Sequence, residues 1–251
     1  MTIADRLKKV SARIQQTQLN LSKLSCSKEK RSFSNLSNDF NSLNSSISPI
    51  KLLAVSKTHP TTAIQEGFNA GITEFAESYI QEAELKIIET RELDLTWHFI
   101  GPIQSNKTRL IAHLFDWVQS IDRVKVLQRI NDQRPLKLPP INTCIQINYF
   151  NEENKKGAKP HNVPALLELA SQLPNIKLRG LMIIPPKQVE YAIQLEQFIQ
   201  VKEYYEQMKI NFPMLDTLSM GMSSDLEAAI EAGTTMVRIG TDIFGKRNKS
   251  K

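Results

Sequence analysis

Two cationic residues far apart in sequence carry the chemistry that can be read first. Lys57 closes the apolar run KLLAVSK (51–57), and Arg238 lies within a second short apolar run, MVRIG (236–240). A lysine ending such a run is partly desolvated. Desolvation disfavours the ammonium, and the neutral amine is the nucleophile that forms a Schiff base with an aldehyde. A lone lysine at a strand end more commonly snorkels to solvent, so Lys57 needs suitable neighbours. The segments SMGMSSD (219–225) and RIGTD (238–242) offer them: Ser219, Ser223, Ser224, Gly240 and Thr241 supply hydroxyls and uncrowded backbone for a phosphate.

Competing chemistries find little support. GTDIFGKR (240–247) nearly spells a nucleotide P-loop, but Arg247 stands where a Ser or Thr must hold magnesium. Neither a G-x-S-x-G elbow nor a G-x-G-x-x-G turn occurs, which removes esterase and dinucleotide readings. Cys26 and Cys144 sit in unlike contexts, and His59, His98, His113 and His161 are scattered, so no metal site is expected. Cys144, inside TCIQIN, reads as a buried inert thiol.

The elements that position these residues follow a regular rhythm. Residues 3–14 place Ile3, Leu7, Val10 and Ile14 on one helical face. Ten of the 27 residues from Ser22 to Ser48 are Ser, with Asn35, Asn38, Asn41 and Asn44 among them, so a flexible insertion is expected there. From residue 50, short apolar runs alternate with amphipathic helical segments: 51–57, 72–77, 97–101, 117–121, 143–148, 178–184, 215–220 and 236–240. Eight strands joined by helices imply parallel pairing with right-handed crossovers, and a closed α/β barrel of the TIM type, (β/α)8, fits better than an open sheet. Ser224 and Glu227 have capping-box spacing at the start of the last full helix. After the eighth strand too little remains for a final helix, so the extra N-terminal helix is expected to cover that gap. The domains read as 1–21 helix, 22–48 insertion, 49–247 a single barrel and 248–251 a basic tail, with no second domain left over.

In such a barrel the C-terminal strand ends form the reactive face, and strand eight pairs with strand one. Arg238 then approaches Lys57 beside the serine-rich loops. An amine beside a phosphate cradle points to pyridoxal 5′-phosphate (PLP), an aldehyde carrying a phosphate.

The chain also resembles a known family. KLLAVSKTHP, WHFIGPIQSNKTRLIA, LRGLMIIPP and LSMGMSSDLEAAIEAGTTMVRIGTDIFGKR look like the pyridoxal-phosphate homeostasis proteins, the YggS or PROSC family, over about residues 50–247. The resemblance implies a barrel like the N-terminal domain of alanine racemase, with PLP held on Lys57 as a Schiff base. It also implies phosphate contacts from Ser219, Gly240 and Thr241, with Arg238 facing the pyridine nitrogen. The family usually reads FGENYVQE where this chain has FAESYIQE, so Ala76 and Ser78 replace Gly and Asn, and the shorter Ser78 stands where that Asn would approach the cofactor.

A guanidinium facing the pyridine opposes its protonation and weakens the cofactor as an electron sink. A non-catalytic role in intracellular PLP supply is therefore expected, with apo forms of PLP-dependent enzymes as implied partners. A PLP-dependent racemase of the alanine racemase type is the alternative. The net charge of +6 comes from clusters in loops and ends (28–31, 155–159, 246–251), so nucleic-acid binding is a minor reading. No apolar run suits a membrane span and no signal peptide is legible, so a cytoplasmic location is expected.

Overall fold

The structure, a computed structural model, describes residues 1–32 and 49–246. Residues 33–48 of the expected insertion and the tail 248–251 lie outside the described residues. Eight parallel strands close into one barrel in sequential order. They are β1 (Lys51–Val55), β2 (Glu74–Glu77), β3 (Thr96–Phe99) and β4 (Trp117–Ile121). The second half adds β5 (Ile141–Ile147), β6 (Ile176–Ile183), β7 (Thr217–Ser219) and β8 (Met236–Ile239). Closure is made by β1 against β8, where Leu53 pairs with Arg238 and Ala54 with Ile239.

Strand side chains alternate between two environments. Ala54, Phe75, Trp97, Phe99, Val118, Leu181, Leu218, Val237 and Ile239 pack outward against the helices. Leu53, Val55, Ala76, Trp117, Cys144, Met182 and Met236 form a separate inner cluster. This period of two puts Lys51, Leu53 and Val55 in the barrel interior and carries Lys57 to its mouth. Cys144 is fully buried, and burial pushes its thiol up to about 12, as suits an inert packing residue.

The outer layer follows the strands: α2 (Thr61–Asn69), α3 (Ile80–Glu89), α4 (Thr108–Leu114), α5 (Val124–Gln133), α6 (Val163–Gln172), α7 (Tyr191–Asn211) and α8 (Leu226–Glu231). Two expectations are corrected here. Glu227 forms no capping box with Ser224; Asp225 precedes the first turn of α8, and Glu227 turns outward to Arg13. The chain after β8 does form a helix, the single turn α9 (Thr241–Phe244), ended by Gly245 at a φ of 93°.

The N-terminal helix, α1 (Ile3–Ser32), runs past the boundary expected at residue 21. Its stripe of Ile3, Val10 and Ile14 is buried in the outer core, and the helix packs on α2, α8 and α9. It thereby closes the layer where α9 is too short. Arg13 is the staple: its guanidinium donates to Glu227 Oε1 at 2.6 Å and Oε2 at 2.9 Å, and to Asp242 Oδ2 at 2.5 Å. All three side chains stay about a third exposed, so solvent screens the pairing. Arg13→Ala is expected to cost about 1 kcal/mol, a fall in Tm of roughly 2–4 °C by differential scanning calorimetry.

Candidate functional site

The C-terminal ends of the strands open into a cavity of about 480 Å³. Its wall includes Lys57 and His59 after β1, Ser78 after β2, Ile100 after β3, Ile184 after β6, Met222, Ser223 and Ser224 after β7, and Arg238, Gly240 and Thr241 from β8 onward. Five of the six residues expected from the sequence thus face one space: Lys57, Ser78, Arg238, Gly240 and Thr241. Ser219 does not. It is fully buried below the cavity, where its hydroxyl donates to Gln119 Oε1 at 2.7 Å and accepts from Arg238 Nη1 at 2.8 Å. Ser219 lies inward on β7, one layer too deep, and the hydroxyls that reach the wall are those of Ser223 and Ser224.

Lys57 is held by a rigid surround. Its Nζ donates to Ser78 Oγ at 3.3 Å. Thr58, the next residue, has a φ of 67°, a strained conformation for a β-branched residue. Glu82 fixes that turn by accepting the Thr58 N–H at 2.6 Å. Beneath it, Lys86 of α3 donates to Ser56 O at 2.8 Å, Glu77 Oε1 at 2.6 Å and Glu82 Oε1 at 2.5 Å. Ser56 Oγ also donates to Glu77 Oε1 at 2.7 Å. Burial pushes the Glu77 carboxyl above its usual range, opposed by the charge of Lys86. The residues just before Lys57 and Ser78 are therefore locked to each other through one buried cluster.

Arg238 forms the cavity floor, only 4% exposed. Its Nη2 donates to Ile183 O at 2.8 Å, so the guanidinium donates to two neutral groups, this carbonyl and the Ser219 hydroxyl. Burial pulls its pKa down to about 10, against the attraction of Asp225, so it remains charged at neutral pH. The arrangement places an amine, a fixed cation and a set of hydroxyls around a space that suits a small anionic ligand.

Sequence reasoning passed over His98 and Gln119, which lie directly beneath this floor. For His98 the available signal was parity, since it stands two positions before Ile100 of the cavity wall; for Gln119 the irregularity in β4 between Val118 and Ile121 breaks that pattern. Ser78 was legible but not its support. At Gly101 an added Cβ would lie 2.0 Å from the Ser78 carbonyl oxygen.

A (β/α)8 barrel with a ligand cavity at its C-terminal mouth is the class that fold and site define. The family model described as the N-terminal domain of alanine racemase matches residues 32–248. A pyridoxal phosphate homeostasis protein of Pseudomonas aeruginosa is 53% identical, covering 79% of this chain and 85% of its own length. One from Escherichia coli is 51% identical over 80% of this chain and 88% of its own. The structure of PipY from Synechococcus elongatus PCC7942 with PLP bound has a TM-score of 0.73 at 37% identity, covering 81% of this chain and 97% of that one. Alanine racemase of Clostridium difficile 630 shares the fold, with a TM-score of 0.66 at 15% identity over 81% of this chain and 57% of its own. The chain belongs to the alanine racemase N-terminal domain family and, within it, to the pyridoxal phosphate homeostasis proteins.

Because Gly101 leaves no room for a side chain, Gly101→Ala must push the Ser78 segment off its place beside Lys57. The substitution is expected to cost roughly 1–3 kcal/mol, read as a fall in the urea midpoint at unchanged slope.

Proposed function

We propose that this protein holds PLP in the barrel mouth as an intracellular, cytoplasmic reservoir of the cofactor, with little catalysis of its own. The observation that carries the reading is the joint placement of Lys57 and Arg238 on one cavity wall, from opposite sides of the β1–β8 seam. The named relatives and the PLP-bound PipY structure support it by likeness.

The residues present fit the group. The cavity exceeds the lower end of the range for small-molecule sites, and it combines one amine with several phosphate donors. Lys57 would hold the aldehyde carbon covalently, and its Ser78 contact would orient the amine. Ser223, Ser224 and Thr241 hydroxyls, with the Gly240 backbone, would hold the phosphate. When bound, PLP supplies a reactive aldehyde and, where its ring nitrogen is protonated, an electron sink. Arg238 would face that nitrogen as a permanent donor. A guanidinium still charged at neutral pH opposes a second positive charge beside it, so the sink stays weak.

This reading makes the protein a carrier first, with apo-enzymes that require the cofactor as its recipients. The racemase reading makes the opposite demand, turnover of an amino acid to its mirror image. The test is direct. Borohydride treatment of protein loaded with PLP, then peptide mass mapping, should give one pyridoxyl adduct, on the Lys57 peptide, and Lys57→Ala should lose it. The loaded protein should form no D-enantiomer from single L-amino acids on chiral chromatography. An adduct confined to other lysines, or rapid racemisation, would overturn the proposal.

A further inference from the structure

A continuous line of hydrogen bonds runs down the barrel from the cavity floor. Arg238 Nη1 donates to Ser219 Oγ at 2.8 Å, and Ser219 Oγ donates to Gln119 Oε1 at 2.7 Å. Gln119 Nε2 faces His98 Nδ1 at 3.0 Å, and His98 Nε2 faces Glu74 Oε2 at 2.5 Å. Lys51 Nζ donates to the other oxygen, Glu74 Oε1, at 2.6 Å, at the opposite end of the barrel. Ser219, Gln119 and His98 are fully buried, so none of them can turn to water.

Every link in this line has one allowed direction. Lys51 has only protons to give, and it holds Glu74 as an acceptor; together with the His98 contact it keeps that carboxyl below its usual range despite burial. An ionised Glu74 requires a proton on His98 Nε2. Burial pulls the imidazole below its usual pKa, so it carries one proton and Nδ1 must accept. Gln119 therefore presents its NH2 group to His98. Its orientation is fixed a second time, since Nε2 also lies 3.2 Å from Met236 Sδ, where an amide oxygen would meet the sulfur's lone pairs. The amide oxygen is left to face Ser219, which must donate its one proton downward. The lone pairs of Ser219 Oγ are then the only thing it offers upward, and Arg238 donates into them.

We propose that Glu74, His98, Gln119 and Ser219 form a one-way relay of orientation that positions Arg238, giving its guanidinium a fixed acceptor and withholding the Ser219 hydroxyl proton from the cavity. These four are positioning residues, since among them only Ser219 touches Arg238 and none lines the cavity. The inference rests on the reading that Arg238 faces a bound ring nitrogen: with Ser219 turned away, that nitrogen meets guanidinium N–H groups alone. Ser219, first read as a phosphate ligand, thus acts on the ring end of the cavity.

The test begins on protein without cofactor, where it is independent of PLP binding. In 15N NMR of histidine-labelled protein, His98 should read as neutral, protonated at Nε2 and bare at Nδ1; the opposite tautomer overturns the relay without any variant. The Arg238 guanidinium should show separate Nη1 and Nη2 resonances. Gln119→Leu removes the acceptor for Ser219 and should merge those resonances, with Nε–H exchange roughly tenfold faster. Gln119→Glu keeps an acceptor towards Ser219 and should retain the separate signals. In PLP-loaded protein the visible band should shift in Gln119→Leu and return towards wild type in Gln119→Glu. Unchanged Arg238 signals in Gln119→Leu, or identical behaviour of the two variants, would overturn the relay. If wild type takes no adduct on Lys57 while the NMR pattern holds, the cofactor reading fails and the relay stands.

Discussion

The seam between β1 and β8 is the constraint on which this molecule depends. Residues at the two sides of the cavity belong to opposite ends of the barrel sequence, and only the pairing of Leu53 with Arg238 sets Lys57 and the cation within one wall. Parallel pairing also decides which face is usable. All eight strands point the same way, so all eight loops after them crowd one mouth, and the backbone groups left unpaired there are available to a ligand. Closure brings a cost as well, because the interior of a small barrel must be filled rather than left as a pore.

How it is filled separates this barrel from one packed only with aliphatic residues. Leu53, Cys144, Met182 and Met236 occupy part of the axis, and His98, Gln119 and Ser219 share it with them. Buried polar groups are expensive unless every one is paired, and a paired network is more specific in geometry than an apolar one. Here the pairing is nearly complete: among the described residues the buried side-chain atoms without a partner are Glu77 Oε2 and the Tyr205 hydroxyl oxygen. The first belongs to the cluster that locks Ser56 and Glu77 beneath Lys57. Two polar assemblies therefore bracket the cavity, one between β1, β2 and α3 behind the amine and one inside the barrel under the guanidinium.

Much of this was legible in the residue string, for reasons that differ by element. Strand positions followed from apolar runs of the right length, and β4 coincides with the run WVQSI. Lys57, Arg238, Gly240 and Thr241 were expected at the barrel mouth because strand ends have a fixed place there, and all four line its cavity. Ser219 was misplaced because a run such as LSMGMSS does not reveal where the strand stops and the loop begins; a shift of four residues moves a hydroxyl from the interior to the cavity wall. The false capping box had a similar origin. Ser224 and Glu227 have suitable spacing, but a cation from another helix competes for the glutamate, and Arg13 lies too far away in sequence to be anticipated. The His98–Gln119 contact needed knowledge of the layer at which each strand crosses the axis, which periodicity alone does not supply.

The position of α1 has a consequence for synthesis. This helix leaves the ribosome before the barrel strands, yet the helices packed on it include α8 and α9, which emerge only after seven and eight of those strands. At typical elongation rates of ~5–20 residues per second, the interval between Arg13 and its partner Asp242 is roughly ten to forty seconds. Through that time the apolar stripe of α1 lacks the cover that α8 and α9 give it, and the nascent chain must keep it from binding elsewhere. The basic residues Arg6, Lys8, Lys9 and Arg13, distributed around the same helix, give the waiting segment a charged coat that resists self-association. A helix made before the barrel is thus among the last to be fastened to it, and its surface carries charge suited to the delay.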